Sequence, residues 1–554
     1  MEKGKKTIDK SSIRFTIMAV VLIAIFCFAI SPVTLQNDTF YTIKIGEHVL
    51  QNGIDMKDPF SWHENLQYTY PHWLYDVVIY LVYSIGGQVG IYISTIVLSI
   101  TLGLTMYLVN TKLTKNKLTS FVLTIGAMYL LRNYIAARAQ LATFILFILT
   151  VYFIEMFLET KKKRYMVGLI IIPIIIANVH LAVFPFYFVL YLPYIAEYMI
   201  YILSNTEIIV VTAKIDKLNK KILKTTNEDE IQKIKDEINR LEQKNEKTIN
   251  KKEKINANPY KIKIRGNNNV KALIIIMIIC LFTGFLTPLG TTPYTYLIKT
   301  MQGSTTHNIS EHLPLTLVNN LEFMCTLVLF IAILTFTDTK IRLSDLFMLG
   351  GLVLLTFYTR RQFSMFTLIC VMILNRLINA LLDKYDPEGC KKAIDKMTTI
   401  TGMIVTICLV LTISVIQYKP KMKNHFIDEN SYPVEAATYI LENLDINNIK
   451  LYNEYNYGSY LIFRGIPVFI DSRADLYAPE FNPGVEVFND YINLSNVDID
   501  NVEEKLDKYG ITHMLMYKKS KLRKFVEQNT EKYNLLYEDD NFCLFERKQV
   551  KESV

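Results

Sequence analysis

Long apolar segments recur along this chain, and they constrain its fold more than any other feature. The 554 residues are 51% hydrophobic, which is high for a soluble protein of this size. A helix needs about 20 mostly apolar residues to cross a bilayer, and on that template the sequence predicts about eleven spans. The predicted spans cover residues 15–33, 89–109, 118–131, 141–158, 166–182, 183–203, 272–289, 321–336, 343–358, 363–382 and 400–416. We therefore predict a mainly α-helical, polytopic membrane protein.

The charges between these segments predict the orientation of the chain. Its formal net charge is +8, and the basic residues gather in alternate loops, as at 161–164 and 205–268. Basic loops of this kind stay in the cytoplasm. We therefore predict a cytoplasmic N-terminus and an extracytoplasmic C-terminal region, with lipid rather than nucleic acid as the partner. No small-residue cleavage site follows the first apolar run, so we interpret it as an uncleaved span.

Composition divides the chain into a transmembrane part, residues 1–418, and a C-terminal extracytoplasmic α/β domain, residues 419–554. Residues 205–268 are a Lys/Glu-rich insertion with Ile and Leu at three-to-four spacing, which predicts a cytoplasmic helical hairpin or short coiled coil. Whether it binds a partner or is only solvated stays open. In the α/β domain, Gly458 is expected in a turn between strands. Strands are predicted at 449–452, 460–463, 468–471, 514–517, 533–537 and 542–545.

The first loop, residues 36–73, is long and rich in ionisable and aromatic residues. Connectors between helices are usually short, and so many polar groups at a membrane surface make this loop a candidate site. Asp38 fits either an N-cap of a helix over 39–50 or a reactive carboxylate. Asp58 precedes a proline and fits a turn or a second reactive carboxylate. The loop's His63 and His72, beside its two Trp residues, fit an interfacial aromatic belt.

On the predicted topology, further polar residues meet this loop at the outer face of the membrane. Ionisable groups at this boundary are costly, which favours a function for them. Each also has a structural alternative, because arginines snorkel at helix ends, a loop carboxylate is simply solvated, and a histidine packs or caps a helix. The inner face is expected to offer mainly Lys. The outer residues are Arg138, His180, Glu311, His312, Arg360 and Arg361.

Short motifs, in a fixed order, resemble the polytopic glycosyltransferases of the C superfamily (GT-C). This superfamily includes protein O-mannosyltransferases and aminoarabinose transferases, and the nearest resemblance is to a group of bacterial membrane proteins of this kind. The similarity covers most of the chain except residues 205–268. The motifs include Asp38-Thr-Phe-Tyr41, Asp58-Pro-Phe-Ser61, His72-Trp73-Leu74, Arg138-Ala-Gln140, Asn178-Val-His180, Ser310-Glu311-His312, Arg360-Arg361 and Asp471-Ser-Arg473-Ala-Asp475.

The resemblance implies a GT-C fold and an inverting, hexosyltransferase-type enzyme. Such an enzyme takes a sugar from a polyprenyl-phosphate-linked donor at the outer face and passes it to an acceptor. Asp38 matches the superfamily's first-loop Asp and is the candidate catalytic base, with Asp58 as a second catalytic or metal-binding carboxylate. A divalent metal is left open, and neither sugar nor acceptor is identified. The candidate substrate-binding residues are Arg138, His180, Glu311, His312, Arg360 and Arg361.

Two other functions are left open by the sequence. One is a flippase or transporter of lipid-linked glycans, although transporters often contain internal repeats and no repeated halves are visible here. The other is an envelope assembly protein whose external domain binds a partner. The seven Cys residues have no disulfide or zinc spacing, so thiol chemistry is not predicted. Cys543 is expected to be an accessible reporter for the position of the C-terminal domain.

Overall fold

The computed structural model describes residues 10–224, 227–256, 261–303, 308–497 and 502–548. Its transmembrane part is helical. The helices are α1 Lys10–Ile30, α2 Asn37–Asn52, α3 Trp73–Thr114, α4 Lys117–Leu131, α5 Ala139–Thr160, α6 Lys163–Val179, α7 Phe184–Val189, α8 Leu192–Ser204, α9 Thr206–Ile222, α10 Glu228–Asn256, α11 Asn269–Leu281, α12 Thr292–Gln302, α13 Leu321–Phe336, α14 Leu343–Tyr358, α15 Phe363–Tyr385, α16 Gly389–Met397 and α17 Ile400–Tyr418.

Helices lie over most of every predicted span. Among the described residues, six helical segments are long and apolar enough to cross a membrane, by length and composition. Shorter apolar helices cover Asn269–Phe285, Leu321–Phe336 and Leu343–Tyr358. These segments support a multi-pass membrane protein, while the number of about eleven spans and the orientation stay predictions. The six are Lys10–Ile30, Trp73–Thr114, Ala139–Thr160, Leu181–Ser204, Arg360–Tyr385 and Ile400–Lys421.

Helix α3 joins two parts across a kink. Gly87 has φ 57° and ψ −146° inside the run, a conformation that glycine adopts without steric cost. The apolar stretch before Gly87 thus forms a helix that meets the following span at this kink. It packs closely on α2, where a Cβ added to Gly46 would lie 2.1 Å from the carbonyl oxygen of Asp76. This contact fixes the position of α2, which carries Asp38.

The C-terminal domain is a small α/β unit. Its helices are α18 Val434–Asn443, α19 Gly458–Phe463, α20 Val487–Asn496, α21 Val502–Tyr509 and α22 Lys521–Gln528. The strands are β3 Leu451–Tyr452, β4 His513–Tyr517, β5 Tyr533–Glu538 and β6 Phe542–Arg547, after β1 Ile262–Lys263 and β2 Ile341–Arg342, which pair with each other in the transmembrane part. In the domain, β3 is parallel to β4, and β6 lies antiparallel between β4 and β5.

Two of the predicted strands in this domain are wrong. Residues 460–463 belong to helix α19, and residues 468–471 form only an isolated bridge, Val468 to Ser61. A short apolar run buried on several sides has no periodicity that separates strand from helix. Gly458 begins α19 rather than turning between strands, and it is needed because a Cβ there would lie 2.0 Å from the carbonyl oxygen of Ile470.

The first loop packs against the C-terminal domain, and the two share one hydrophobic core. The Trp62 indole N–H donates to the carbonyl oxygen of Leu451 at 3.0 Å, and the His63 Nε2 lies 2.8 Å from the carbonyl oxygen of Phe469. The interpretation of Trp62 and His63 as part of an interfacial belt is therefore wrong. Burial in this interface lowers the pKa of His63 to about 4, so the ring is neutral.

The opposite end of the bundle holds a compact ionic cluster as well as the insertion. Arg342 lies 2.8 Å from Glu155 and 2.8 Å from Asp345, and Arg376 also pairs with Asp345. Arg265, which follows the insertion, lies 3.2 Å from Glu197. The sequence predicted mainly Lys at this end and did not reveal these pairs. Within the insertion, the helices α9 and α10 pack against each other as a hairpin.

Candidate functional site

A cavity of about 1050 Å³ lies where the first loop, the ends of several helices and the C-terminal domain meet. Three short 3₁₀ turns border it, Ser310–His312, Arg360–Gln362 and Ala474–Tyr477. Residues far apart in sequence thus converge on one space. Of the sequence-predicted residues, those that line it are Asp38, Arg138, His180, Glu311, His312 and Arg361.

Arg138 is the centre of an ionic bridge inside the cavity. Its Nη2 lies 2.6 Å from Asp38 Oδ2, and its Nη1 lies 3.3 Å from Glu311 Oε1. Burial would lower the pKa of the Arg138 guanidinium, but the two facing carboxylates outweigh burial and raise it. Arg138 therefore stays charged and holds both carboxylates in fixed positions.

Asp38 lies within the first turn of α2, which begins at Asn37. The residue at the cap position is Gln36, and no side chain caps the helix end. The alternative that Asp38 serves as an N-cap is therefore wrong. The Asp38 carboxylate instead pairs with Arg138 in the cavity lining, and about 23% of the Asp38 side chain is exposed.

Arg361 differs from its neighbour in sequence. It lines the cavity, whereas Arg360 is outside the lining and its carbonyl oxygen accepts a hydrogen bond from the Tyr134 hydroxyl at 3.1 Å. Within the described part of the chain, Arg361 forms no ion pair. Burial alone would raise the pKa of Glu311, but Arg138 and Arg361 outweigh it and hold this pKa below its ordinary value. Arg361 is thus a cation open to an anionic ligand.

Two imidazoles complete the predicted set. Burial, with the charge of Arg361, lowers the pKa of His312, so this ring is neutral. His180 is 6% exposed, and its Nδ1 lies 3.4 Å from the Thr143 hydroxyl. Both rings line the cavity. The burial of His180 also agrees with the alternative that this residue serves in packing.

Asp58 does not line the cavity. Its side chain is fully buried, with Oδ1 2.7 Å from Arg473 Nη1 and Oδ2 accepting from the Ser61 backbone N–H at 2.9 Å. Arg473 also pairs with Asp471 at 2.7 Å. Asp58 therefore ties the first loop to the C-terminal domain, and a catalytic role for it has no support in this geometry.

Two residues of the motifs quoted above, Asp475 and His72, also line the cavity, although they were not among the predicted site residues. Asp475 accepts a hydrogen bond from the Tyr296 hydroxyl at 2.5 Å, and burial raises its pKa. His72 contacts Tyr41 on one side and Asp76 on the other. The spacing of His72 and Asp76, four residues apart at the start of a helix, was a signal that could have found this pair.

The described residues of the cavity do not form a set of metal ligands. In the described ranges, no group of three His, Cys, Asp or Glu side chains could hold a metal ion. Asp38 and Glu311 are the predicted carboxylates that line the cavity, and Arg138 lies between them. The positions of the two carboxylates are thus set by the Arg138 guanidinium between them.

The chain as a whole is a mainly helical, multi-pass membrane protein with a small α/β domain over one end of its bundle. A scan against protein-family models finds no match, and a search of the curated proteins finds none. A search of solved structures finds the archaeal oligosaccharyltransferase AglB from Archaeoglobus fulgidus, in complex with an inhibitory peptide and a dolichol-phosphate. The two chains are 11% identical with a TM-score of 0.48, over 90% of this chain and 69% of that one.

Proposed function

We propose that this protein is a GT-C-type glycosyltransferase. It transfers a sugar from a polyprenyl-phosphate-linked donor to an acceptor in the cavity between the first loop, the helix ends and the C-terminal domain. The observation that carries the proposal is the arrangement inside one cavity of an arginine-bridged carboxylate, Asp38, and a guanidinium, Arg361, that forms no ion pair with any described residue. The two groups supply what the reaction needs, a base for the acceptor and a cation for the leaving phosphate.

Asp38 acts as the base in this scheme. Its carboxylate takes the proton of the acceptor nucleophile while that atom bonds to the anomeric carbon of the donor sugar. The bond from the anomeric carbon to the phosphate oxygen breaks, and the polyprenyl phosphate leaves with the electron pair. One displacement of this kind inverts the anomeric centre. Arg138 orients the Asp38 carboxylate, since its Nη2 holds Oδ2 at 2.6 Å.

Arg361 receives the phosphate. A guanidinium binds two phosphate oxygens with parallel hydrogen bonds, and Arg361 has no carboxylate within ion-pair distance among the described residues. Apolar side chains from helices that line the cavity offer a surface for the first isoprene units of the donor. They are Phe186, Leu297, Met301, Leu355 and Phe357.

The acceptor enters on the side of the C-terminal domain. There the lining is aromatic and polar, which suits a sugar ring or a short polar chain. Asp475, held by the Tyr296 hydroxyl, is the acidic group on this side. The aromatic residues of the same wall are Tyr455, Phe481, Phe488 and Tyr491.

The test is the glycan composition of the cell surface in a strain that lacks the protein. Wild-type protein, Asp38→Asn and Glu64→Gln are each restored at matched expression, and surface glycans are compared by mass spectrometry. Glu64 is the control, because it is an exposed acid of the same loop outside the cavity. We expect Asp38→Asn to lower the modified glycan by about 100-fold or more, as loss of a general base does. Wild-type glycans from Asp38→Asn would overturn the proposal.

A further inference from the structure

A hydrogen-bonded chain of three side chains lies beside the base. The Tyr41 hydroxyl is 3.1 Å from His72 Nε2, and His72 Nδ1 is 2.7 Å from Asp76 Oδ1. Tyr41 and His72 line the cavity, and Asp76 is fully buried behind them. Tyr41 is on the same helix as Asp38, one turn further along.

The protonation states of the three groups determine the direction of each hydrogen bond. With Asp76 ionised, its carboxylate only accepts hydrogen bonds, so the nitrogen of His72 that faces it carries a proton. Whether the other nitrogen, Nε2, donates or accepts then depends on the charge of the ring. In the neutral ring, Nε2 accepts and the Tyr41 hydroxyl donates to it. In the charged ring, Nε2 donates, and the Tyr41 oxygen accepts.

We propose that Tyr41 is a phosphate-binding residue whose hydrogen bond to the donor is switched on when His72 takes up a proton. With His72 charged, the Tyr41 hydroxyl is released from Nε2 and turns its hydrogen into the cavity, where it donates to an anionic phosphate oxygen. With His72 neutral, that hydrogen is held by Nε2 and the phosphate loses one donor. His72 is a positioning residue in this scheme, and the inference rests on the lipid-phosphate donor proposed above.

The charges around His72 favour such a switch. Burial would lower the pKa of the ring, but the Asp76 carboxylate outweighs burial and raises it, with Asp38 adding to this effect and Arg138 opposing it. From the remaining side, the ring of His180 lies 6.4 Å away. Burial also raises the pKa of Tyr41, so its hydroxyl keeps its proton and remains a donor.

A merely structural chain would not produce this behaviour. The Thr42 hydroxyl also contacts the Asp76 carboxyl, and the close packing of α2 on α3 at Gly46 already fixes both helices. Removing the hydroxyl of Tyr41 would then alter stability slightly but leave the pH dependence of ligand binding unchanged. A structural role and a switching role therefore differ in that measurement.

The experiment measures the affinity of the purified full-length protein for farnesyl methyl phosphate from pH 5 to pH 9. This probe is a phosphodiester, so its own charge is constant over that range. Wild-type, Tyr41→Phe and Asp76→Asn are compared, each first checked for monodispersity and thermal unfolding. Tyr41→Phe removes one donor and keeps the ring. Asp76→Asn keeps the shape but removes the charge that raises the pKa of His72.

We expect wild-type affinity to fall about tenfold between the acidic and the basic end, the range of one hydrogen bond to a charged group. Tyr41→Phe is expected to bind with the weaker affinity throughout, without this step, and Asp76→Asn to move the step to lower pH. A step that persists in Tyr41→Phe, or a midpoint unmoved in Asp76→Asn, would overturn the inference and leave the donor class intact. Failure of the wild type to bind the probe at any pH would overturn the donor class, and this inference with it.

Discussion

At the scale of single residues, three arginines near the cavity do three different things. Arg473 is buried between Asp58 and Asp471 and joins the first loop to the C-terminal domain. Arg138 bridges Asp38 and Glu311. Arg361 alone of the three lines the cavity without an ionic partner in the described part of the chain. Because buried guanidinium groups need partners, only Arg361 is left for a ligand.

Glu454, next to the cavity-lining Tyr455, predicts how stability depends on pH. Burial raises its pKa to about 7, while its carboxylate accepts from the Tyr517 backbone N–H at 3.0 Å. The unfolded chain releases this proton near the ordinary pKa, so the folded state loses stability as pH rises from about 4.5 to about 7. The full loss above pH 7 is about 3 kcal/mol.

Replacing Glu454 by Gln should remove this loss, because Gln keeps the acceptor and has no charge. We expect Glu454→Gln to unfold at a higher temperature than the wild type at pH 8 and at the same temperature near pH 4.5. The measurement is thermal unfolding of the full-length protein in detergent at both pH values. An equal difference at the two pH values would contradict the explanation by titration.

At the scale of elements, helix α2 positions the chemistry. It carries Asp38 and Tyr41, and its place is set by contact with α3 at Gly46, where a Cβ would approach the Asp76 carbonyl oxygen to 2.1 Å. The same helix packs on α19 through Phe40, whose ring lies 5.3 Å from that of Tyr460. The candidate base is therefore held between the bundle and the C-terminal domain.

A methyl group at Gly46 tests this arrangement. We expect Gly46→Ala to destabilise the protein by about 2 kcal/mol, as overpacking does, and to lower activity by displacing Asp38. The matched control is Gly350→Ala in helix α14, where the added Cβ meets nothing within 4 Å and alanine favours the helix. Activity and unfolding temperature are measured for both variants. A Gly46→Ala protein as active and stable as Gly350→Ala would contradict the assigned contact.

Most elements were predictable from the sequence, because long apolar runs and a period of three to four residues leave little choice. Two exceptions show why the remaining features could not be predicted. The run 460–463 is apolar at every position, so only its burial against α2 decides for a helix. Asp58 matched a motif, and its partner, Arg473, lies 415 residues away along the chain. Such a pairing depends on the tertiary fold rather than on any local pattern.

At the scale of the whole molecule, helices that run in alternate directions bring distant loops to one end. This alternation is why Arg138 and Glu311 could be predicted from sequence to lie near the first loop. The opposite end carries the ionic cluster of Arg342 and Glu155 and the α9–α10 hairpin. The core that the first loop shares with the C-terminal domain depends on the tertiary fold rather than on a local sequence pattern.

The orientation of the two ends can be measured by thiol labelling. Cys543 is unsuited to this, contrary to the expectation from sequence, because it is fully buried on β6. Exposed positions are Gln528 on α22 and Lys235 on α10. We expect a membrane-impermeant maleimide to label Gln528→Cys on intact cells and Lys235→Cys only after lysis, against the wild-type background. The reverse pattern would contradict an extracytoplasmic C-terminal domain.

The most direct test of the central claim is photo-crosslinking of a lipid phosphate into the cavity. A polyprenyl phosphate with a benzophenone in its first isoprene units is irradiated with the protein in nanodiscs, and labelled peptides are identified by mass spectrometry. We expect labels within the segments 296–301 or 355–362, each of which contributes side chains to the cavity lining, and displacement by unlabelled polyprenyl phosphate. We also expect about tenfold weaker labelling for Arg361→Gln and wild-type labelling for Arg360→Gln. Equal labelling of the two variants, or labels only on lipid-facing helix surfaces, would contradict a phosphate site at Arg361.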